Sequence, residues 1–329
     1  MNRDSAILRS DGLTLVAAGF AIVVWSSAFA AIAYGLEVFT PAELSLLRFL
    51  IASAVLAVPV AIGAIKLPPV RDWPVILALG FIGITIYQLT LGYAMTRISV
   101  GAAAVVIALA PGVTTALAAL RLGERISGST IAGLGVAFSG VVLITVGAGR
   151  TVRFEPMTLL VLISVLATSI YFVWQKPLLA RNPDSGTLGF TTASIFAGTL
   201  GLVPFGFNLP AKLATVPAPQ IWSAVYLGVV PTIFGYLCWN FALSRATASK
   251  VSSFLYVQPL VASAIAWLCL GQVPGMLTAI GGALAIGGVV LTVRTSGKSV
   301  PPPAKTPVVV RKTTVRKNAL AVTQGCTQT

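Results

Sequence analysis

The chain has 329 residues, of which 57% are hydrophobic and only 9% charged, and its formal net charge is +14. A water-soluble domain of this size would lack the polar side chains to cover its surface, so lipid is the solvent for most of the chain. Cys238, Cys269 and Cys326 form no close-spaced pair and histidine is absent, which leaves a disulfide scaffold, a zinc site and a histidine base unsupported.

Apolar segments of about 20 residues, the length that crosses a bilayer as a helix, recur with short polar breaks. They predict an all-α membrane protein with ten transmembrane helices at 13–34, 42–62, 73–92, 100–121, 129–147, 157–177, 187–204, 221–243, 251–270 and 276–293. Residues 1–12 precede the first span. Arg3, Arg9, the apolar stretch from Leu13 to Val24 and the small residues Ala28 and Ala30 resemble a cleavable signal peptide. The apolar run continues to Leu36, however, so the first span is expected to stay in place. Residues 295–329, rich in proline and scattered cations, read as a disordered basic tail.

Orientation follows from lysine and arginine in the short loops. One side of the membrane receives Lys66, Arg71, Arg121, Arg125, Lys176, Arg181, Arg245 and Lys250, together with the basic residues of both termini. The other receives Arg97, Arg150, Arg153 and Lys212. Both termini are therefore expected in the cytoplasm, with the protein multi-pass in the cytoplasmic (inner) membrane. The positive charge is a topology signal whose partners are membrane lipids, and nucleic acid is the poorer partner.

The fourth span holds Pro111 near its middle, where proline costs about 3 kcal/mol in an ordinary helix. A shift of 148 residues places Pro259 on Pro111, and the same register aligns Leu79-Gly80 with Leu227-Gly228, Arg97 with Arg245 and Gly140 with Gly288. Proline and glycine coincidences in one register mark an internal duplication. Residues 13–150 and 151–294 thus form two five-helix repeats. An odd number of spans per repeat makes the second enter from the opposite side, and such inverted repeats are a plan for alternating-access transporters.

Each proline frees the carbonyl four residues back, Ile107 and Leu255, which serine or threonine hydroxyls, water or substrate must satisfy. Pro111 and Pro259 are accordingly candidates for helix breaks that border a cavity. Gly133 and Ala137, matched by Gly281 and Ala285, are small-residue pairs suited to close helix packing, within the fold or across a dimer.

Arg48 is the one charge clearly inside a span, where a central position costs about 2.5–3.5 kcal/mol. It has two readings: hydrogen bonding of helix ends, or attraction of a substrate carboxylate. Trp25, Ser27, Tyr87, Gln88, Tyr171, Tyr236, Tyr256 and Gln258 are further candidates for substrate contact, whereas Trp73, Trp222 and Trp239 are expected as interface anchors. Glu124-Arg125 reads as the cytoplasmic exit of span four. No phosphate-binding G-x-x-x-x-G-K-[ST] motif, metal set or nucleophile–base pair is present, so neither an enzyme nor a cofactor is expected.

The motifs WSSAF (Trp25 to Phe29), LLRF (Leu46 to Phe49), APGVTTALAALRLGER (Ala110 to Arg125) and VQPLVASAIAWLCLGQ (Val257 to Gln272) resemble the ten-helix EamA-like branch of the drug/metabolite transporter superfamily. Gln272 stands where that family usually has Glu, while Glu124 is retained. The resemblance implies a secondary transporter of small metabolites, most often an exporter of amino acids or related compounds, as monomer or homodimer. An exchanger of anionic metabolites of the sugar-phosphate type is the alternative within transport, with Arg48 and Lys250 as its cations. A non-transporting membrane partner protein is the alternative outside it.

Overall fold

A backbone in lipid must satisfy its own hydrogen bonds, and the apolar runs accordingly fold as helices. In the computed structural model the described residues are 3–97, 100–147, 156–181, 185–270 and 275–295. Their helical segments are α1 (Arg3–Gly35), α2 (Pro41–Ala61), α3 (Val70–Met95), α4 (100–122), α5 (Gly128–Gly147), α6 (Thr158–Arg181), α7 (Gly186–Leu202), α8 (Ala218–Arg245), α9 (248–270) and α10 (Met276–Thr295). Of the expected tail 295–329, Thr295 is the last residue of α10 and 296–329 lie outside the described residues.

Local chemistry sets the ends. Pro41 opens α2 behind a capping box in which the Glu43 amide donates to Thr40 Oγ1 at 3.3 Å and the Thr40 amide donates to Glu43 Oε2 at 2.8 Å. Gly123 closes α4 in the left-handed conformation at φ 66°, which glycine adopts without steric cost.

One expectation needs correction. Among the described residues nine helices are long and apolar enough to cross a membrane, and the expected span 251–270 is not one of them. It is divided into a short helix (Ala248–Ser252), a tight 3-10 turn (Ser253–Val257) and a helix (Gln258–Leu270), because Pro259 lacks the amide that a continuous helix needs. The first helix begins at Arg3, ahead of its membrane-spanning part Gly12–Gly35, which matches the expected span 13–34.

The packing crosses between the two halves of the sequence. α1 lies against α8 and α9, and α6 lies against α3 and α4; α2 meets α7, and α5 meets α10. Exchanging the halves swaps the α1–α8 and α1–α9 pairs with α3–α6 and α4–α6, and turns α2–α7 and α5–α10 into themselves. The α5–α10 seam is the most extensive, and it is built where backbones touch. A Cβ added at Gly140 would stand 2.5 Å from both the Ala285 amide nitrogen and the Gly281 carbonyl, and one at Gly288 would stand 2.4 Å from the Ala137 amide nitrogen. Gly133 likewise faces Thr292, and Ala137 and Ala285 are both 0% exposed. The small-residue positions thus meet within one chain. Gly140→Ala is expected to destabilise the bundle by about 1–3 kcal/mol by overpacking, read as a lowered thermal midpoint in detergent with the cavity residues unaltered.

Candidate functional site

Both prolines lie in the first turn of a new helix. α4 breaks at Ala108-Leu109, with Pro111 the second residue of its outgoing helix, and Pro259 holds the same position in the helix from Gln258. Tight i to i−3 bonds bridge the breaks, from the Leu109 amide to the Val106 carbonyl at 3.0 Å and from the Gln258 amide to the Leu255 carbonyl. The carbonyl just before each proline takes a serine hydroxyl from the opposite half. Ser169 Oγ donates to the Ala110 carbonyl at 3.3 Å, and Ser26 Oγ donates to the Gln258 carbonyl at 3.2 Å. Ala110 and Gln258 are themselves 148 residues apart. Ser26→Ala and Ser169→Ala should each cost about 1 kcal/mol, the scale of interhelical hydrogen bonds in bilayers, seen in thermal unfolding.

A second feature repeats in the same register. α3 passes through a π-helical turn at Phe81–Ile86 and α8 through another at Gly228–Phe234. Such turns are rare and recur at functional sites. The first lets α3 touch α6: a Cβ on Gly83 would stand 2.3 Å from the Tyr171 Cβ. The second contains Pro231, whose carbonyl accepts a hydrogen bond from Trp25 Nε1 at 3.0 Å. Gly83 and Pro231 are one register apart, so a glycine and a proline aligned in an apolar segment were the available sequence signal.

Between these breaks lies a cavity of about 120 Å³, well above the roughly 10–15 Å³ that one water needs. It is lined by Trp25, Arg48, Tyr87, Gln88, Tyr171, Tyr236 and Gln258 among polar and aromatic groups, with Phe29, Ile107, Val165, Phe172 and Leu255 among apolar ones. The aromatic residues of the wall are backed by the buried Trp239. Trp25 meets Trp239 at 5.0 Å and Tyr236 at 5.7 Å, and Phe172 meets Trp239 at 5.0 Å between ring centroids. A smaller cavity shares Ile32, Arg48, Gln88 and Leu91 with the first and leads past Leu36, Pro41 and Gly92 to one end of the bundle.

Arg48 stands where the two cavities adjoin and is 7% exposed. Its Nε and Nη2 both donate to Thr232 Oγ1, at 3.1 and 3.0 Å, and its guanidinium lies 5.2 Å from the Phe49 ring centroid. Thr232 belongs to the π-helical turn of α8 and donates in turn to the Leu227 carbonyl at 2.8 Å. Among the described residues no carboxylate lies within ion-pairing distance of Arg48; Tyr87 and Tyr236 are the ionisable groups around it.

The far end of the bundle is closed by a clasp centred on Glu124. Its Oε1 accepts from the Ala248 amide at 2.7 Å, and its Oε2 from the Ser249 amide at 3.2 Å and Ser249 Oγ at 2.8 Å. Lys176 Nζ lies 3.8 Å from Glu124 and donates to the carbonyls of Leu243 and Ala246. A carboxylate after α4 thereby caps the start of α9 in the opposite half. Nothing near Glu124 in the sequence distinguishes it from a simple exit marker, since the amides it caps lie some 124 residues away.

The structure brings together seven of the nine residues expected to contact substrate. The other two are placed elsewhere. Ser27 Oγ donates to the Val24 carbonyl at 2.8 Å and lies 2.6 Å from the Tyr226 hydroxyl, and Tyr256 is buried between α5 and α10 against Leu134, Val141 and Val289. Trp239 is corrected outright: expected at an interface, it is 0% exposed because Trp25 and Phe172 enclose it from α1 and α6. Trp222, by contrast, is 69% exposed. Lys250 lies at the clasp and does not line the cavity, which leaves Arg48 as its basic group among the described residues.

Comparison with known proteins agrees with this architecture. The profile of the EamA-like transporter family matches residues 12–146 and 156–294. A probable terminal-alkyne amino-acid exporter of Streptantibioticus cattleyicolor is 37% identical over 273 residues, 82% of this chain and 90% of that protein. A probable amino-acid metabolite efflux pump of Escherichia coli is 27% identical over 300 residues, 87% of this chain and 95% of that one. A crystal structure at 21% identity shares the fold, with TM-score 0.69 over 86% of this chain and 97% of that chain. The chain is a multi-pass membrane protein that belongs to the EamA-like transporter family of the drug/metabolite transporter superfamily.

Proposed function

We propose that the protein is a secondary transporter that exports amino acids or related small metabolites across the cytoplasmic membrane by alternating access. The observation that carries this reading is the cavity itself. It is walled by helices of both halves, bordered by both broken helices, and continued toward one end while the Glu124 clasp closes the other.

The reading takes the ten segments as two inverted five-helix repeats, in keeping with the exchange of packing partners between the halves. The loop cations then put the clasp in the cytoplasm and make this an outward-facing state. Trp25, Arg48, Tyr87, Gln88, Tyr171, Tyr236 and Gln258 contact the substrate, and the breaks before Pro111 and Pro259 are the joints on which the helices turn. Release of Glu124 opens the inner side for loading. Support for the direction and substrate comes from the names of the relatives, an amino-acid exporter and an amino-acid efflux pump. Sugar-phosphate exchange is the weaker reading, because a dianionic group calls for more than the single guanidinium in the lining.

Accumulation in inverted membrane vesicles tests the proposal. Uptake of at least one labelled amino acid above that of vesicles lacking the protein is expected; no flux across a full amino-acid panel would contradict it.

A further inference from the structure

The charge inventory of the cavity is one-sided. Arg48 contributes a fixed positive charge, more than nine-tenths buried, and the described lining holds no aspartate or glutamate. The described acidic side chains are engaged or remote: Glu43 pairs with Lys212 at 2.8 Å, Glu124 forms the clasp, Asp72 is buried with a partner of its own at the start of α3 outside both cavity linings, and Glu37 is exposed in the turn after α1. The two hydrogen bonds of Arg48 share one hydroxyl oxygen, so the planar fork keeps further donors at a residue that lines both cavities. A buried guanidinium without a counterion is costly, and a carboxylate supplies both the missing charge and two acceptors in the matching geometry.

Nothing comparable awaits an ammonium group. The side-chain groups of the lining able to receive one are aromatic rings such as Trp25 and Tyr236, the hydroxyls of Tyr87, Ser164, Thr168 and Tyr171, and the amides of Gln88 and Gln258, all uncharged. Cation–π contacts and neutral acceptors are weaker than a charge-assisted fork. The rest of the lining, with Phe29, Ile107, Val165, Phe172 and Leu255, is apolar and suits a hydrocarbon or aromatic body.

We propose that the cavity selects monocarboxylates with an apolar body, held by Arg48, and tolerates but does not require an α-amino group. N-acylated amino acids and simple aryl- or alkyl-carboxylates then bind alongside the free amino acids, while amino-acid amides and amines are rejected. The inference rests on the transport reading for the identity of the site, but it is a statement about recognition and is separable from flux.

The test compares four probes on the purified full-length protein, by thermal stabilisation and quenching of tryptophan fluorescence. They are L-phenylalanine, N-acetyl-L-phenylalanine, 3-phenylpropionate and L-phenylalaninamide. The three carboxylates are expected to bind within a few-fold of one another and the amide about tenfold or more weakly, the scale of a lost charge-assisted hydrogen bond. Because the series is run on the unaltered protein, it does not depend on an Arg48 variant folding. Equal binding of the amide and the acid, loss of binding on N-acetylation, or no binding by any carboxylate would each overturn the inference. Flux of the same probes in proteoliposomes separates the two ideas. Transport of acid and amide alike leaves the transporter and removes carboxylate selection, whereas acid-selective binding without any flux does the reverse.

Discussion

Glu124→Ala is expected to cut net export about a hundredfold while leaving folded yield in detergent within a factor of two. The carboxylate accepts three hydrogen bonds from Ala248 and Ser249 and lies 3.8 Å from Lys176. Each hydrogen bond to a charged group contributes about 1.5–3 kcal/mol. Even after heavy discounting for water that replaces it, removing the group takes about 3 kcal/mol from the clasped state, on the order of a hundredfold in the ratio of two conformations. It also removes the carboxylate paired with Lys176, whose amino group keeps the carbonyls of Leu243 and Ala246. The bundle does not unfold, because the helices behind the clasp keep their α1–α8 and α3–α6 packing. Trypsin added to inverted vesicles supplies a second readout: cleavage after Lys250, half-buried beside the clasp, should become faster in the variant. Glu124→Gln keeps one acceptor oxygen and loses the charge, so it should fall between. An alanine variant that exports normally and resists trypsin like the parent would remove Glu124 from the transport cycle.

Arg48→Gln is expected to abolish measurable transport with only a modest loss of stability. Glutamine can still donate to Thr232 and retains part of the aliphatic stem, and it removes a buried charge that the protein itself does not neutralise. What it cannot do is supply the fork. The expected pattern is therefore a thermal midpoint close to that of the parent and a transport rate below about one-hundredth, which corresponds to about 2.7 kcal/mol of lost interaction with the transported group. The opposite pattern, poor folded yield with normal transport per folded molecule, would assign Arg48 to the packing of α2 on α8.

The spans were legible in the sequence because lipid exposes a simple pattern: any stretch of about 20 apolar residues must become a helix. The paired breaks at Pro111 and Pro259 were legible because proline acts on its own backbone. Continuity was not. Whether a proline kinks a helix or begins a new one depends on the tight turn before it, here Ser253–Val257, and on Ser26 and Ser169 reaching across to the carbonyls of Gln258 and Ala110 just before the prolines.

Much of the polar lining was legible. Arg48, Tyr87, Gln88 and Tyr236 announced themselves as polar groups in apolar segments, and Gln258 by its place beside Pro259. Trp239 misled because an aromatic residue near a span end looks alike whether it faces lipid head groups or, as here, two other rings. Glu124 was missed for a related reason. Its meaning lies in amides of the other half, and no local pattern records a contact between residues 124 apart. The π-helical turns left a trace, Gly83 aligned with Pro231, that becomes readable only once the register is known.

The most direct test of alternating access through this cavity is a side-specific labelling experiment. Thr168, half-buried in the cavity wall, is replaced by cysteine in a chain whose Cys238, Cys269 and Cys326 are changed to serine, and a membrane-impermeant thiol reagent is applied to right-side-out and inverted vesicles. The account predicts labelling from the outside in the parent, a gain of labelling from the inside when Glu124→Ala is added, and protection by substrate in both cases. Labelling that is confined to one side whatever the state of Glu124, and that no transported compound protects against, would contradict it.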